Sequence, residues 1–125
     1  MKTIAVVGAS ADRRKFGNKC VRAYHEAGYE VFPVHPSERE IEGLPAYANL
    51  SEVPAAPLDV ISVYLAPPVT LAVLPEIAGA AARRVWFNPG SADGAVLAEA
   101  RRLGIAARPG CSIVDIGRSP SEFPA

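Results

Sequence analysis

Five short apolar runs recur along this chain: TIAVVG (3–8), EVFPVHP (30–36), DVISVYLAPP (59–68), RRVWFNPGS (83–91) and IAARPGC (105–111). The first has no polar side chain from Ile4 to Val7, so it leaves neither face for water. Between the runs, apolar residues return at helical spacing: Phe16, Cys20, Tyr24 and Ala27, then Val69, Val73, Ile77 and Ala80, then Val96, Ala100 and Leu103. Gly28 and Gly104 stand where the first and last of these helices should stop, and Pro75 falls in the early turns of the second or kinks it. Strands buried on both faces and separated by helices need helical cover above and below. They predict an α/β fold: one doubly wound, mainly parallel sheet of five to six strands with helices on both faces. EIEGLPAYANL (40–50) is broken by Gly43 and Pro45 and predicts at most a short edge strand. No repeat, low-complexity tract or linker divides the sequence. Residues 1–125 are expected to form a single domain, with RSPSEFPA (118–125) as a loose tail.

Composition narrows the function. The formal net charge is zero, which argues against a general nucleic-acid surface. No apolar run approaches the roughly 20 residues of a membrane helix. The apolar stretch after Lys2 is too short for a signal peptide and better used as a strand, so a cytoplasmic protein is expected. Two cysteines and two histidines in no ligand spacing predict no metal site. The absence of glutamine, the single methionine and the 12 prolines match a heat-adapted composition.

In a doubly wound fold, ligands bind beyond the carboxyl ends of the strands, where strand order reverses. Those ends read Gly8-Ala9-Ser10, His35-Pro36, Ala66-Pro67-Pro68, Asn88-Pro89-Gly90-Ser91 and Gly110-Cys111. The first leads into an unusual helix start. From Arg13 to His25 there are five basic residues (13, 14, 15, 19, 22) and no acid, although a helix N-terminus favours negative side chains. A ligand that brings the negative charge would explain the pattern. The dinucleotide fingerprint is incomplete: Gly8-Ala9-Ser10 runs six residues to Gly17, and the second strand ends in Val34-His35-Pro36 without the carboxylate that holds an NAD ribose. The P-loop pattern is absent too. A ribose site without an acid tolerates a ribose phosphate, which suits coenzyme A or NADP, and these residues alone leave both open.

Taken in order, GAS with RRKFGNK, GYEVFPVHP, EIEGLPAYANLSEVP, DVISVYLAPP, VWFNPGS and a late cysteine resemble the CoA-binding family of small Rossmann-like proteins. That family is similar to the CoA-binding domain of succinyl-CoA synthetase and of ADP-forming acyl-CoA synthetases. The resemblance runs over about residues 3–117 and is most specific at G-Y-x-V-x-P-V-x-P. It departs at Asn88, where glutamine is frequent, at Pro109-Gly110, in place of Asp-Arg, and at Tyr64-Leu65-Ala66-Pro67, in place of a Phe-Arg pair. The resemblance implies coenzyme A, or an acyl-CoA, as the ligand, with NADP as the lesser alternative.

Candidate contacts follow. Gly8, Ala9 and Ser10 would cradle the diphosphate, with Lys15 and Arg14 ahead of Arg13 as its cations. By the resemblance, Pro33, His35 and Pro36 form an adenine-side wall, Pro67 with Pro68 packs from the other side, and Asn88 and Gly90 lie near the exit of the pantetheine arm. Cys111, just past a strand end, is either a small buried hydrophobe or a partner for the pantetheine thiol. Cys20 and Trp86 are read as core, and His25 as facing solvent. No Ser-His-Asp order or G-x-S-x-G elbow is present, and Asp59 and Asp115 stand alone. Acyl-CoA synthetases use further domains for ATP and a phosphohistidine. The expectation is therefore a stand-alone binding module, a carrier, sensor or partner subunit. The alternatives are a small NADP-dependent reductase or a redox module pairing Cys111 with the CoA thiol.

Overall fold

The computed structural model describes residues 1–125. Its sheet is built outward from β1 (Thr3–Val7), in which Ile4, Ala5 and Val6 are fully buried. A strand with no wet face belongs in the interior of the sheet, and β1 pairs in parallel with both β2 (Glu30–Val34) and β5 (Val60–Val63). Then β6 (Arg84–Phe87) and β7 (Ala107–Pro109) extend the sheet in the order β2-β1-β5-β6-β7, all parallel. The fold is thus the doubly wound Rossmann-like α/β arrangement read from the sequence. Strand order reverses between β1 and β5, which places the switch point there. At the opposite end of the sheet Asp59 Oδ2 accepts from the Thr3 amide at 2.8 Å and pins the start of β1 to β5. That amide bond, more than the nearby Arg83, holds the Asp59 carboxyl below its ordinary range.

Side chains alternate across each strand, so two cores form. One face carries Ala5, Val7, Ile61, Val63, Val85 and Phe87 beneath α2 (Pro67–Gly79) and α3 (Gly94–Arg102). The other carries Ile4, Val6 and Val31 beneath α1 (Phe16–Glu26) and the short α4 (Ser112–Asp115). Asp93 caps α3 by accepting from the Val96 amide at 2.9 Å, and Gly104 follows its end at φ +74°. Segment 40–50 folds into a two-residue hairpin, β3 (Glu40–Ile41) with β4 (Leu44–Pro45). Tyr47 beyond it exchanges backbone bonds with Pro33 and His35 and so covers the outer edge of β2.

Two expectations are corrected. Phe16 is not part of the buried stripe of α1; it is the first residue of the helix and 57% exposed, and the stripe runs through Gly17, Cys20, Val21 and Tyr24. Ala27 likewise lies outside the helix and is exposed. The second correction concerns residues 118–125, which are packed rather than loose. Ser119 and Glu122 form a reciprocal capping box around a 3₁₀ turn. Phe123 is only 3% exposed, and the Arg22 guanidinium donates to the carbonyls of Phe123 and Pro124 at 3.1 and 2.8 Å. Phe123→Ala is therefore expected to destabilise the domain by about 3 kcal/mol in denaturant unfolding. An unchanged midpoint would mean that the tail contributes nothing.

Candidate functional site

Two concavities meet at the switch point. A cleft of about 270 Å³ runs from Gly8 and the start of α1 (Lys15, Phe16, Gly17), past Leu65 at the end of β5, to Pro89 and Gly90 beyond β6. A second cavity of about 240 Å³ lies between the ends of β1 and β2 and the flank of α2. Val34, Pro36, Leu65, Val69 and Val73 give it apolar walls. Gly8 and Leu65 border both, so the two form one continuous path over the carboxyl edge of the sheet.

The glycines explain how the chain comes so close here. Gly8 has φ +92°, and a Cβ on it would stand 2.4 Å from the carbonyl oxygen of Tyr64. A Cβ on Gly17 would stand 2.3 Å from the Gly8 carbonyl oxygen. These two residues let α1 press onto β1, and β1 onto β5. Phe16 and Gly17, the first residues of α1, border the cleft, and amides in the first turn of a helix have no intrahelical acceptor.

The basic helix start is less free than its sequence implies. Arg14 is gripped by Asp12 through two bonds of 3.0 Å, which also drive the Asp12 carboxyl down to about 2. Arg13 pairs with Glu42 of the β3–β4 turn at 3.1 Å, and Arg22 bonds to Asn18 and to carbonyls. Lys15 has no acidic partner and borders the cleft. It is the cation of this loop available to an anion there. Ser10 is a turn-former, its Oγ accepting from the Asp12 amide at 3.0 Å, and Ala9 is 1% exposed.

Beneath the cleft lies a buried polar network. Asn88 donates from Nδ2 to Ser62 Oγ at 2.8 Å and to the Val63 carbonyl at 2.9 Å, and its Oδ1 accepts from the Ser112 amide at 2.9 Å. Ser62 and Ser112 hydroxyls share a 2.7 Å bond, and Tyr24 donates to the Ser112 carbonyl at 2.7 Å. Cys20 Sγ lies 3.6 Å from both serine hydroxyls. Burial pushes the Cys20 thiol and the Tyr24 and Tyr64 phenols up, so all three stay neutral. Asn88 thus ties the ends of β5 and β6 to α4.

Of the residues expected at the site, Gly8, Lys15 and Gly90 border the cleft and Pro36 borders the cavity. The others are placed elsewhere. Asn88 is 2% exposed with its amide used inside the fold. Pro33 is buried within β2, and its carbonyl serves Tyr47. His35 Nδ1 accepts from the Ser37 and Glu38 amides at 3.1 and 3.0 Å and shapes the turn after β2. Pro67 opens α2 and lines neither space, and Arg14 is spoken for by Asp12. Cys111 is half-buried before α4, packed against the α1-side core and outside both linings. Sequence reasoning missed Phe16, Leu65, Asn49 and Glu76. Leu65 was signalled by its place at the end of β5, and Val69, Val73 and Glu76 by their shared helical face.

Solved structures resemble this chain over most of its length, and curated relatives over half of it or less. A conserved hypothetical protein of solved structure from Pyrococcus furiosus superposes with a TM-score of 0.83 at 33% identity, over 92% of this chain and 99% of that one. The dinucleotide-forming acetyl-coenzyme A synthetase 1 of Ca. Korarchaeum cryptofilum gives 0.74 at 26% identity, over 85% of this chain but 25% of the synthetase. The subunit alpha of the ADP-forming acetate–CoA ligase II of Pyrococcus furiosus is 40% identical over 52 residues, 41% of this chain and 11% of that protein. An uncharacterised protein of Bacillus subtilis is 36% identical over 63 residues, 50% of this chain and 46% of its own length. The chain thus spans half or less of the curated relatives it matches. The family model described as a CoA binding domain matches residues 2–117, and the chain belongs to that family.

Proposed function

We propose that this chain binds coenzyme A, or an acyl-CoA, across the carboxyl edge of its sheet, as a cytosolic binding module without chemistry of its own. The observation that carries the reading is the continuous path over Gly8 and Leu65 at the switch point, an apolar cavity on one side and a cleft with a free lysine on the other. The cavity suits a flat base. The cleft offers two helix amides and Lys15 to a diphosphate and leads past Gly90 toward open solvent for the pantetheine arm. Relatives that carry a similar domain within acetate–CoA ligases and acetyl-CoA synthetases support this ligand. They also suggest a partner protein that supplies the remaining chemistry.

Calorimetric titration with CoA, dephospho-CoA and NADP at one salt concentration tests the reading. CoA is expected to bind, more tightly than dephospho-CoA and NADP, and silence with CoA at high micromolar concentration would sink it. Lys15→Ala should weaken CoA about tenfold, and less so at high salt. Arg14→Ala should change the affinity by less than about threefold, because Asp12 already occupies that guanidinium. The reverse ranking would mean that the phosphates lie against Arg14 instead.

A further inference from the structure

The apolar cavity has a polar end. Val69, Val73 and Glu76 follow one another along one face of α2, so the face that supplies two hydrophobic walls also presents a carboxylate. One Glu76 oxygen accepts from the Leu50 backbone amide. The other, Oε2, has no hydrogen bond within the protein. Asn49, next to Leu50 in the chain, borders the same cavity. Its Oδ1 accepts from the Ser51 hydroxyl, which leaves its amide NH₂ as a donor. An apolar space closed by one anionic acceptor and one neutral donor is not a generic greasy pocket.

The pair matches one edge of one base. The amino edge of adenine presents an N–H donor beside a ring-nitrogen acceptor. A 6-oxo purine presents the opposite order, an oxygen beside an N–H, which sets oxygen against the carboxylate and N–H against the amide. We infer that Glu76 and Asn49 read the amino edge of an adenine held between Pro36, Leu65 and Val73, which makes the site selective among purine nucleotides. This inference rests on the CoA reading above and adds to it the residues that set base specificity.

The test compares CoA with its hypoxanthine analogue, in which an oxo group replaces the 6-amino group, by calorimetry on the intact chain. Wild type is expected to prefer CoA by about tenfold or more, as loss of a bond to a charged acceptor implies. Glu76→Gln keeps an oxygen for the Leu50 amide but turns an NH₂ toward the base, so the preference should vanish or reverse. If that variant unfolds, Asn49→Ala leaves the Glu76–Leu50 bond in place and should reduce the preference for CoA. Equal binding of the two ligands by wild type, or an unchanged preference in folded variants, would overturn the inference and leave CoA binding standing. If neither ligand binds, the CoA reading itself fails and this one falls with it.

Discussion

Gly8→Ala is expected to lower the melting temperature by about 15 °C and to abolish CoA binding. Two costs combine. Alanine at φ +92° is strained, and its Cβ would stand 2.4 Å from the Tyr64 oxygen and 2.8 Å from the Tyr64 carbonyl carbon. Both obstacles are backbone, so no rotamer change relieves them. The Tyr64 amide donates to the Val7 carbonyl at 2.8 Å, so moving Tyr64 away breaks the β1–β5 ladder at its end. Strain and overpacking together are expected to cost about 4 kcal/mol. The same displacement narrows the border shared by cleft and cavity. Gly17→Ala wedges the neighbouring contact, α1 against β1, where its Cβ would stand 2.3 Å from the Gly8 carbonyl oxygen, and because both substitutions act through the Gly8 backbone their costs should not add. A Gly8→Ala protein melting within about 3 °C of wild type would show that β1 and β5 do not need this approach.

Asn88→Ala is expected to destabilise by about 3 kcal/mol, since it strands the buried Ser112 amide and frees Ser62 and the Val63 carbonyl from their donor. Asn88→Asp gives a sharper result. A protonated carboxyl can donate to the Val63 carbonyl as the amide does, whereas an ionised one sets oxygen against oxygen in a buried site. Its folded pKa must therefore rise above the unfolded value of about 3.9. Below that value folded and unfolded forms are both protonated and the variant keeps most of its stability. Above it the folded form holds a proton that the unfolded form has lost, and stability falls by about 1.4 kcal/mol per pH unit until the folded pKa is reached. Melting temperatures of this variant from pH 4 to 7 should fall relative to wild type. A parallel pair of curves would mean that water reaches Asn88 and that the network is not closed.

The sheet was legible because the sequence leaves its first strand no face for water: nothing polar lies between Ile4 and Val7, and only a buried interior position satisfies that. The ends of the strands were legible for the same reason, as the places where the apolar runs stop. Side-chain allegiance was not. Arg13 looks free in the sequence because its partner Glu42 stands 29 residues away on a hairpin turn, and Arg14 because Asp12 precedes the helix by a few residues. Asn88 sits in a turn-like Asn-Pro-Gly-Ser segment that reads as exposed, yet its three bonds reach Ser62, Val63 and Ser112. Phe16 fits the helical spacing, but a helix's first residue projects beyond the layer that buries the rest. Glu76 went unnoticed because its carboxylate falls on an apolar face, where periodicity counts only hydrophobic residues.

The place of β1 between β2 and β5 also sets an order of assembly during synthesis. Since β1 pairs with β2 and β5, the three strands that flank the switch point can come together once residue 63 has emerged from the ribosome. The bonds that lock that edge come from Asn88 and Ser112, which are made much later. A nascent chain therefore holds the outline of the cleft well before it holds the latch, with Ser62 and Cys20 still without their last partner. Fragments ending between residues 63 and 112 should display this half-finished edge to chaperones and proteases, and completion of α4 is the event that withdraws it.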